Sequence, residues 1–554
     1  MPPRTALLGM PEHILIEIAS FLDLYERLRT LALCRDWNEL LTSTASFWKF
    51  LMIYYWRLDP DGDEGDEDQP RIGDAQVVLL FKLLGYSKAL PLDLHFVGVT
   101  PSHFRVVAQA IADNILRLRV LSIWFDVDSE PSNESGKMLG QFLRTLCISG
   151  APMLRRLELQ RINDMYIEDV IVTIPTDLLA EDAPKLTHVT LDRLFSCGDG
   201  VTVFENVTHL LIHENFLLDH IEDVFLQVET LYACKLFGED SAADLATEPD
   251  LLSRYRTLAV EFHSPYVDEE SGIEQLIRAS YECGVSHLVL ADEIPGNELA
   301  EYALRVLPAP TSLRITRGGY YFPSRGYEDQ GFHFAFIDAK GRCIETTEFV
   351  EIYVPKNLCS LGQEDLLAIA HSLTSLTFCE STFALLHKNV CGTVLPNVTH
   401  MEILVLPKKQ RLAGSTDIFS YSPSPDRSLK KDDTALLGQY REIYEKFVVA
   451  DERLFLVVPK LLTFRLGIYP PWPEMVQSGT YISEERRQLV SDEVYEVSAA
   501  SVAKFIGHKL EFDESRLREI VLDPHVLLVE GFTDNATNAM RALAHELRYD
   551  LHVE

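Results

Sequence analysis

Long hydrophobic runs are missing from this 554-residue sequence. Apolar stretches such as residues 77–81 fall far short of the roughly 20 apolar residues that a bilayer-spanning helix needs, so no membrane partner is expected. The opening Met1-Pro2-Pro3-Arg4 lacks the charged-then-apolar order of a secretion signal. Closely paired cysteines are also lacking. The nine cysteines, Cys34, Cys147, Cys197, Cys234, Cys283, Cys343, Cys359, Cys379 and Cys391, are odd in number and scattered. That excludes a disulfide framework and favours a reducing compartment, the cytoplasm and/or the nucleus. Positive charge is scarce, with 50 Lys and Arg against 84 Asp and Glu and a net charge of −34. Such a chain repels phosphate backbones, which argues against a nucleic-acid partner.

Signatures of catalysis are equally sparse. There is no phosphate-binding loop, dinucleotide fingerprint or nucleophile elbow. His545-Glu546 opens a zinc-protease-like motif, but Tyr549 stands where the second histidine belongs. His209 and His213 lie in a strand-like segment, which sets them too far apart to share a metal. Asp59, Asp61 and Asp63 alternate as in a calcium loop, yet Glu64 and Pro70 replace the glycine and glutamate that loop needs. The expectation is a non-enzymatic chain with no cofactor and no metal.

What the sequence does contain is enough apolar material to fold, 47% hydrophobic and 10% aromatic. Its length exceeds what one compact core usually holds, so several domains or an elongated array are expected. Residues 10–52 pattern as a small helical unit. Pro11 suits a first helical position and Glu12 places negative charge in the first turn. Ile14, Leu15, Ile18 and Leu22 form one apolar stripe. Asp23 and Glu26 have capping-box spacing for a second helix bearing Leu24, Leu28 and Leu31. Cys34, Trp37, Leu40 and Leu41 share the face of a third, and Ser46 is expected to cap a last turn carrying Phe47, Trp48 and Leu51. So small a unit has more large apolar residues than it can enclose, which hints at a partner.

The order Met10-Pro11, Ile14-Leu15, Ile18, Leu22-Asp23-Leu24, Leu28, Leu33-Cys34-Arg35, Trp37 and Trp48 resembles the F-box family. Two departures stand out. His13 occupies a usual Glu position, and Glu26-Arg27 replaces Asp-Leu, removing an apolar contact. The resemblance implies docking on the Skp-type adaptor of SCF ubiquitin ligases and, through it, a cullin. It also implies that a downstream domain recruits a protein target. By the same resemblance Pro11, Ile14, Leu15, Ile18, Leu22, Leu28, Leu33, Cys34 and Trp37 carry either docking or the module's own core.

Downstream, an acidic segment at 53–75 reads as a solvated linker. Thereafter an apolar-x-x-apolar-x-apolar motif recurs, starting at Leu118, Leu154, Leu186, Val207, Val228, Tyr255, Val285, Leu373, Val398, Leu461 and Leu517, with a looser copy at Pro310. The bare pattern arises by chance at roughly one position in ten for this composition, so the flanks matter more. Leu186, Val207 and Val398 are each followed by Thr-His, Val285 by Ser-His, and Pro310 and Leu373 by Thr-Ser. Intervals of 21, 21, 27, 30 and 25 residues from Leu186 to Pro310 lie near the leucine-rich-repeat period. Helix-like stretches such as 272–283 and 363–371 fall between copies, so each unit buries its apolar face against its neighbours.

The expected architecture is therefore α/β: a small three-helix F-box at 5–52, then an irregular leucine-rich-repeat-like solenoid over 76–530, similar to the large fungal F-box class. Insertions are expected at 320–350 and 408–450. The first should be a hairpin with alternating Phe332, Phe334 and Phe336, a turn at 338–341 and a return from Arg342 to Thr347. Residues 531–554 should supply a closing helix. Strand residues between apolar positions line the concave face of such arrays, which nominates Thr190, Asp192, His213, Tyr232, Arg314 and Thr316 for target contact. Two functions remain open: target recruitment for ubiquitylation, or an adaptor-bound scaffold or regulator that presents no ubiquitylation substrate. A hydrolase would instead require a polar pocket of converging His, Asp and Ser or Cys.

Overall fold

The computed structural model describes residues 24–33, 35–54, 74–126, 133–161, 171–192, 194–197, 200–213, 221–236, 239–262, 270–292, 299–307, 309–317, 331–349, 363–379, 382, 392–405, 455–468, 495–528 and 534–549. The chain divides into two compact units, Met1–Ala233 and Cys234–Glu554.

The first unit opens with α1 (Leu24–Leu31) and α2 (Arg35–Ser43), followed by a single 3-10 turn, Ala45–Trp48. Trp37, Leu40, Leu41, Phe47 and Trp48 are buried together. Trp48 donates its indole N–H to the Leu41 carbonyl at 2.7 Å, so the large ring is enclosed without stranding its polar edge. Ser46 lies inside that turn rather than capping it; Thr44 occupies the cap and makes no side-chain cap bond. Leu51 belongs not to a helix but to β1 (Phe50–Tyr54), so the expected linker starts later than residue 53. The first expected helix and most of the acidic segment lie outside the described residues.

After α3 (Asp74–Tyr86), strand follows helix in turn: β2 (Leu92–Val99), α4 (Phe104–Ala112), β3 (Leu118–Phe125), α5 (Asn133–Thr145) and β4 (Arg156–Arg161). Shorter pieces continue as β5 (Val172–Ile174), β6 (His188–Leu191), β7 (Phe195–Cys197) and β8 (His209–His213). After α6 (Ile221–Val224), β9 (Thr230–Leu236) begins beside β8, with the Glu229 and Thr230 N–H groups both on the Thr208 carbonyl. β1, β2, β3, β4, β6 and β8 pair in that order, all parallel, and β5 pairs with β7 in a separate ribbon. Phe104, Phe125, Phe142 and Phe195 form the aromatic centre behind this sheet, at centroid separations of 5.2–5.9 Å.

The second unit contains α7 (Glu239–Ala246), α8 (Pro249–Leu252), β10 (Thr257–Phe262), α9 (Glu270–Cys283), β11 (His287–Asp292), α10 (Leu299–Val306) and β12 (Ser312–Arg317). It continues with β13 (Gly331–Ile337), β14 (Cys343–Phe349), α11 (Gln363–Ile369), β15 (Ser375–Cys379), β16 (Thr393–Val394) and β17 (His400–Val405). It ends with β18 (Leu456–Val457), β19 (Thr463–Ile468), β20 (Tyr495–Val497), α12 (Ala499–Lys509), β21 (Leu510–Glu511), β22 (Leu517–Leu522), β23 (Val526–Leu528), α13 (Asp534–Leu543) and β24 (Ala544–Tyr549). Its sheet runs β10, β11, β14, β13, β12, β15, β17, β19, β22, β24, parallel except for β13. Narrow parallel ribbons form separately from β16, β18 and β21 and from β20 and β23.

The recurring motif accounts for the core. Every apolar position of its eleven full copies, and Leu313 and Ile315 of the looser one, is 4% exposed or less. The Thr-His flanks have a mechanical reason. Thr187, Thr208 and Thr399 each donate a side-chain hydroxyl to the carbonyl one strand back, on Arg155, Thr187 and Thr374, at 3.3–3.4 Å. The next histidine, His188, His209 or His400, meets that hydroxyl through Nδ1 at 2.8–2.9 Å. Each pair therefore pins one strand start to the last.

Two expectations change here. The hairpin at 331–349 is not appended to the array: β13 and β14 are inserted into the sheet itself, separating β11 from β12. Asp338 accepts from the Lys340 and Arg342 backbone N–H groups, and Gly341 takes φ +79 to close the turn. At the C-terminal end the helix stops at Leu543. Residues 544–549 form β24, which pairs the backbone of β22 that a continuing helix would leave unpartnered. The expected loop at 408–450 lies outside the described residues.

Candidate functional site

Within the N-terminal module the sequence nominations separate. Trp37, only 7% exposed, belongs to the module's core. Leu33 is 70% exposed in the turn after α1, and Leu28 is half-buried. Pro11, Ile14, Leu15, Ile18, Leu22 and Cys34 fall outside the described residues. Arg27, which stands where the family has leucine, is buried and braces the module from within. Its guanidinium donates to the Phe47 carbonyl and stands 5.7 Å from that ring's centroid.

Parallel strands project alternate residues to opposite faces, so each sheet has an apolar face and a polar one. In the first unit the polar face is largely closed to solvent. Asp93 is buried and held by Arg119 through two bonds, Nε to Oδ1 at 2.9 Å and Nη2 to Oδ2 at 2.5 Å. Glu158 pairs with Arg156. Burial, reinforced by Arg156, drops the His95 imidazole to about 3. Burial, then the neighbouring His209 and Arg156, take His188 to about 4. The His188 and His209 rings stack with centroids 4.2 Å apart.

This bears directly on the residues nominated for target contact. Thr190 is buried. Asp192 is buried and accepts the Arg161 backbone N–H at 2.9 Å, which makes it a strand-end tie. Tyr232 and Thr316 are also buried, while Arg314 is exposed. His213 ends β8, and its side chain is outside the described set. Among the described residues, four of the nominated positions, Thr190, Asp192, Tyr232 and Thr316, are therefore closed to solvent. Parallel strands covered on both sides bury the alternate positions too.

The second unit keeps part of its polar face accessible, near the strand starts. Register places Arg314, Thr377, Glu402, Arg465, Val521 and Arg548 in one lateral row, each on the next strand of the sheet. Glu402 accepts from Thr377 at 3.3 Å and pairs with Arg465 at 3.2 Å. In the adjacent row, burial alone would raise the Glu519 carboxyl, but Arg548 at 2.9 Å and Thr463 at 3.1 Å hold it below its ordinary range. The result is a strip of alternating charge, suited to a protein surface of complementary pattern. On the other side of the hairpin, His287, Cys343 and Glu345 converge on a neighbouring stretch of the same face. Sequence inspection missed this trio because 56 residues separate His287 from Cys343 and only the inserted hairpin joins them.

Compared with known families, residues 7–54 match the F-box-like family model. No curated protein matches the chain. The chain thus carries an F-box-like domain at 7–54, two residues displaced at each end from the 5–52 read in the sequence.

Proposed function

We propose that this chain is the target-recruiting subunit of an SCF-type ubiquitin ligase. Its F-box-like domain docks on a Skp-type adaptor and, through it, a cullin. The mixed-charge strip from Arg314 to Arg548 contacts a protein target. The chain contributes no catalytic residue of its own and works in the cytoplasm and/or nucleus, where that machinery resides. The family match at 7–54 carries the reading; the accessible part of the second unit's polar face supports it, since it is held on paired strands.

The structure selects the variant that tests docking. Leu33 is exposed, so Leu33→Asp leaves the module's core intact while placing a charge where an apolar contact would form. Losing one large buried side chain, about 1.5–3 kcal/mol, corresponds to roughly 10–100-fold weaker adaptor capture. Co-purification with the adaptor, alongside a melting curve matching wild type, checks it; undiminished capture by Leu33→Asp would sink the docking surface. Target contact is probed separately by Arg314→Glu with Arg548→Glu. This pair should retain the adaptor yet lose interactors that accumulate under proteasome inhibition. If no interactor accumulates, the scaffold reading takes its place.

A further inference from the structure

We propose that His287, Cys343 and Glu345 form a binding site for a divalent ion of the zinc class. His287 starts β11 and Cys343 starts β14, and the two residues are direct partners in the parallel register. Glu345 is two residues beyond Cys343 and so projects from the same face. One ligand atom from each residue lies within 4.8 Å of the others. His287 Nε2 is 3.2 Å from Glu345 Oε1, and the Cys343 sulfur is 3.8 Å from that same oxygen.

Three features point to an ion rather than a chance ion pair. His287 Nε2 is shielded from solvent, yet despite its proximity to Glu345 it makes no aligned hydrogen bond. An imidazole nitrogen, a thiol and a carboxylate are the donor set of tetrahedral zinc, whereas calcium and magnesium take oxygens alone. Thiolate and carboxylate together balance a divalent charge, which suits a half-buried position.

The arrangement does not fit a nucleophile relay. In such a relay the thiol approaches one imidazole nitrogen and the carboxylate the other. Here the thiol and Nε2 both face one carboxylate oxygen. Arg314, on β12, is the cation acting on Cys343 across the hairpin. Binding would expel the thiol proton, draw the three donors inward and clamp β14 onto β11. The fourth coordination position is left to water.

Cobalt provides the test. The purified full-length chain, stripped with a chelator and dialysed, is titrated with Co²⁺ and then with Zn²⁺. Wild type should take up one equivalent of Co²⁺, showing tetrahedral visible bands and a sulfur-to-cobalt charge-transfer band, both displaced by Zn²⁺. Cys343→Ser should lose the charge-transfer band. His287→Gln and Glu345→Gln should each weaken binding by more than the roughly 10–100-fold cost of disturbing an outer-shell partner. Cys147→Ser, a free cysteine of the first unit, should behave as wild type. Circular dichroism matched to wild type shows that each variant is folded. Absence of saturable one-equivalent uptake in wild type would overturn the site, as would a charge-transfer band that persists in folded Cys343→Ser.

Discussion

Trp48→Ala should unfold the N-terminal module and remove adaptor capture with it, at a cost of about 3–5 kcal/mol. Trp48 is completely buried, bonds the Leu41 carbonyl through its indole N–H, and lies 5.4 Å from the Tyr86 ring on α3. Truncation leaves a cavity of nearly the whole side chain, and the helices around it are too short to collapse into it. Urea denaturation followed by tryptophan fluorescence and far-UV circular dichroism measures the loss. A stability change below about 1 kcal/mol would show that the module owes little to this ring. Leu33→Asp, described above, differs in kind. It should leave the denaturation midpoint in place and affect capture alone. The two variants together separate the residues that build the module from those that face outward, a distinction the motif by itself does not make.

A second large effect should appear on acidification. The folded state holds His188 at about 4 and His95 at about 3, whereas in an unfolded chain both return to about 6.5. The unfolded state therefore binds more protons as pH falls below 6.5. The stability contributed by the neutral histidines is complete above that value and is lost progressively down to the folded values. At about 1.4 kcal/mol per pH unit of displacement, His188 alone accounts for roughly 3 kcal/mol, and His95 adds a comparable amount. Titrating carboxylates relieves the repulsion of a net charge of −34 and works in the opposite direction, so a fall in stability starting near pH 6.5 identifies the histidines. The urea midpoint should drop steadily between pH 7 and 4.5, and the double variant His95→Asn, His188→Asn should flatten that slope. A wild-type midpoint that stays level across this interval would refute the assignment.

The core was legible because one rule repeats. Each strand needs an apolar residue entering the turn and two more on its inner face, and the motif states those three positions directly. The Thr-His flanks were visible as self-similarity, although their cause, a hydroxyl tied to the preceding strand, becomes clear only from the backbone geometry. The burial of the polar face was not legible. Alternation identifies which residues share a side, but whether that side meets solvent depends on what covers it, as Thr190 and Asp192 show. Residues 544–549 illustrate the limit for short segments. Their pattern suits either a helix or a strand, and the choice falls to the unpaired edge of β22. The His287, Cys343 and Glu345 group was hidden for a topological reason: it exists only because β14 has entered the sheet beside β11.

The strand-to-strand tie also makes the array tolerant of unequal spacing. His188 and His209 begin adjacent strands 21 residues apart, while His400 and Thr463 do so at 63. Closing a loop three times longer costs only about 1 kcal/mol more, less than burying a single leucine returns. Segments between strands can therefore lengthen, shorten or diverge with little thermodynamic penalty. The strands hold Arg314, Glu402, Arg465 and Arg548 on a pitch of about 4.8 Å per strand regardless. Such a scaffold can exchange its connecting segments without recalibrating the ruler beneath them.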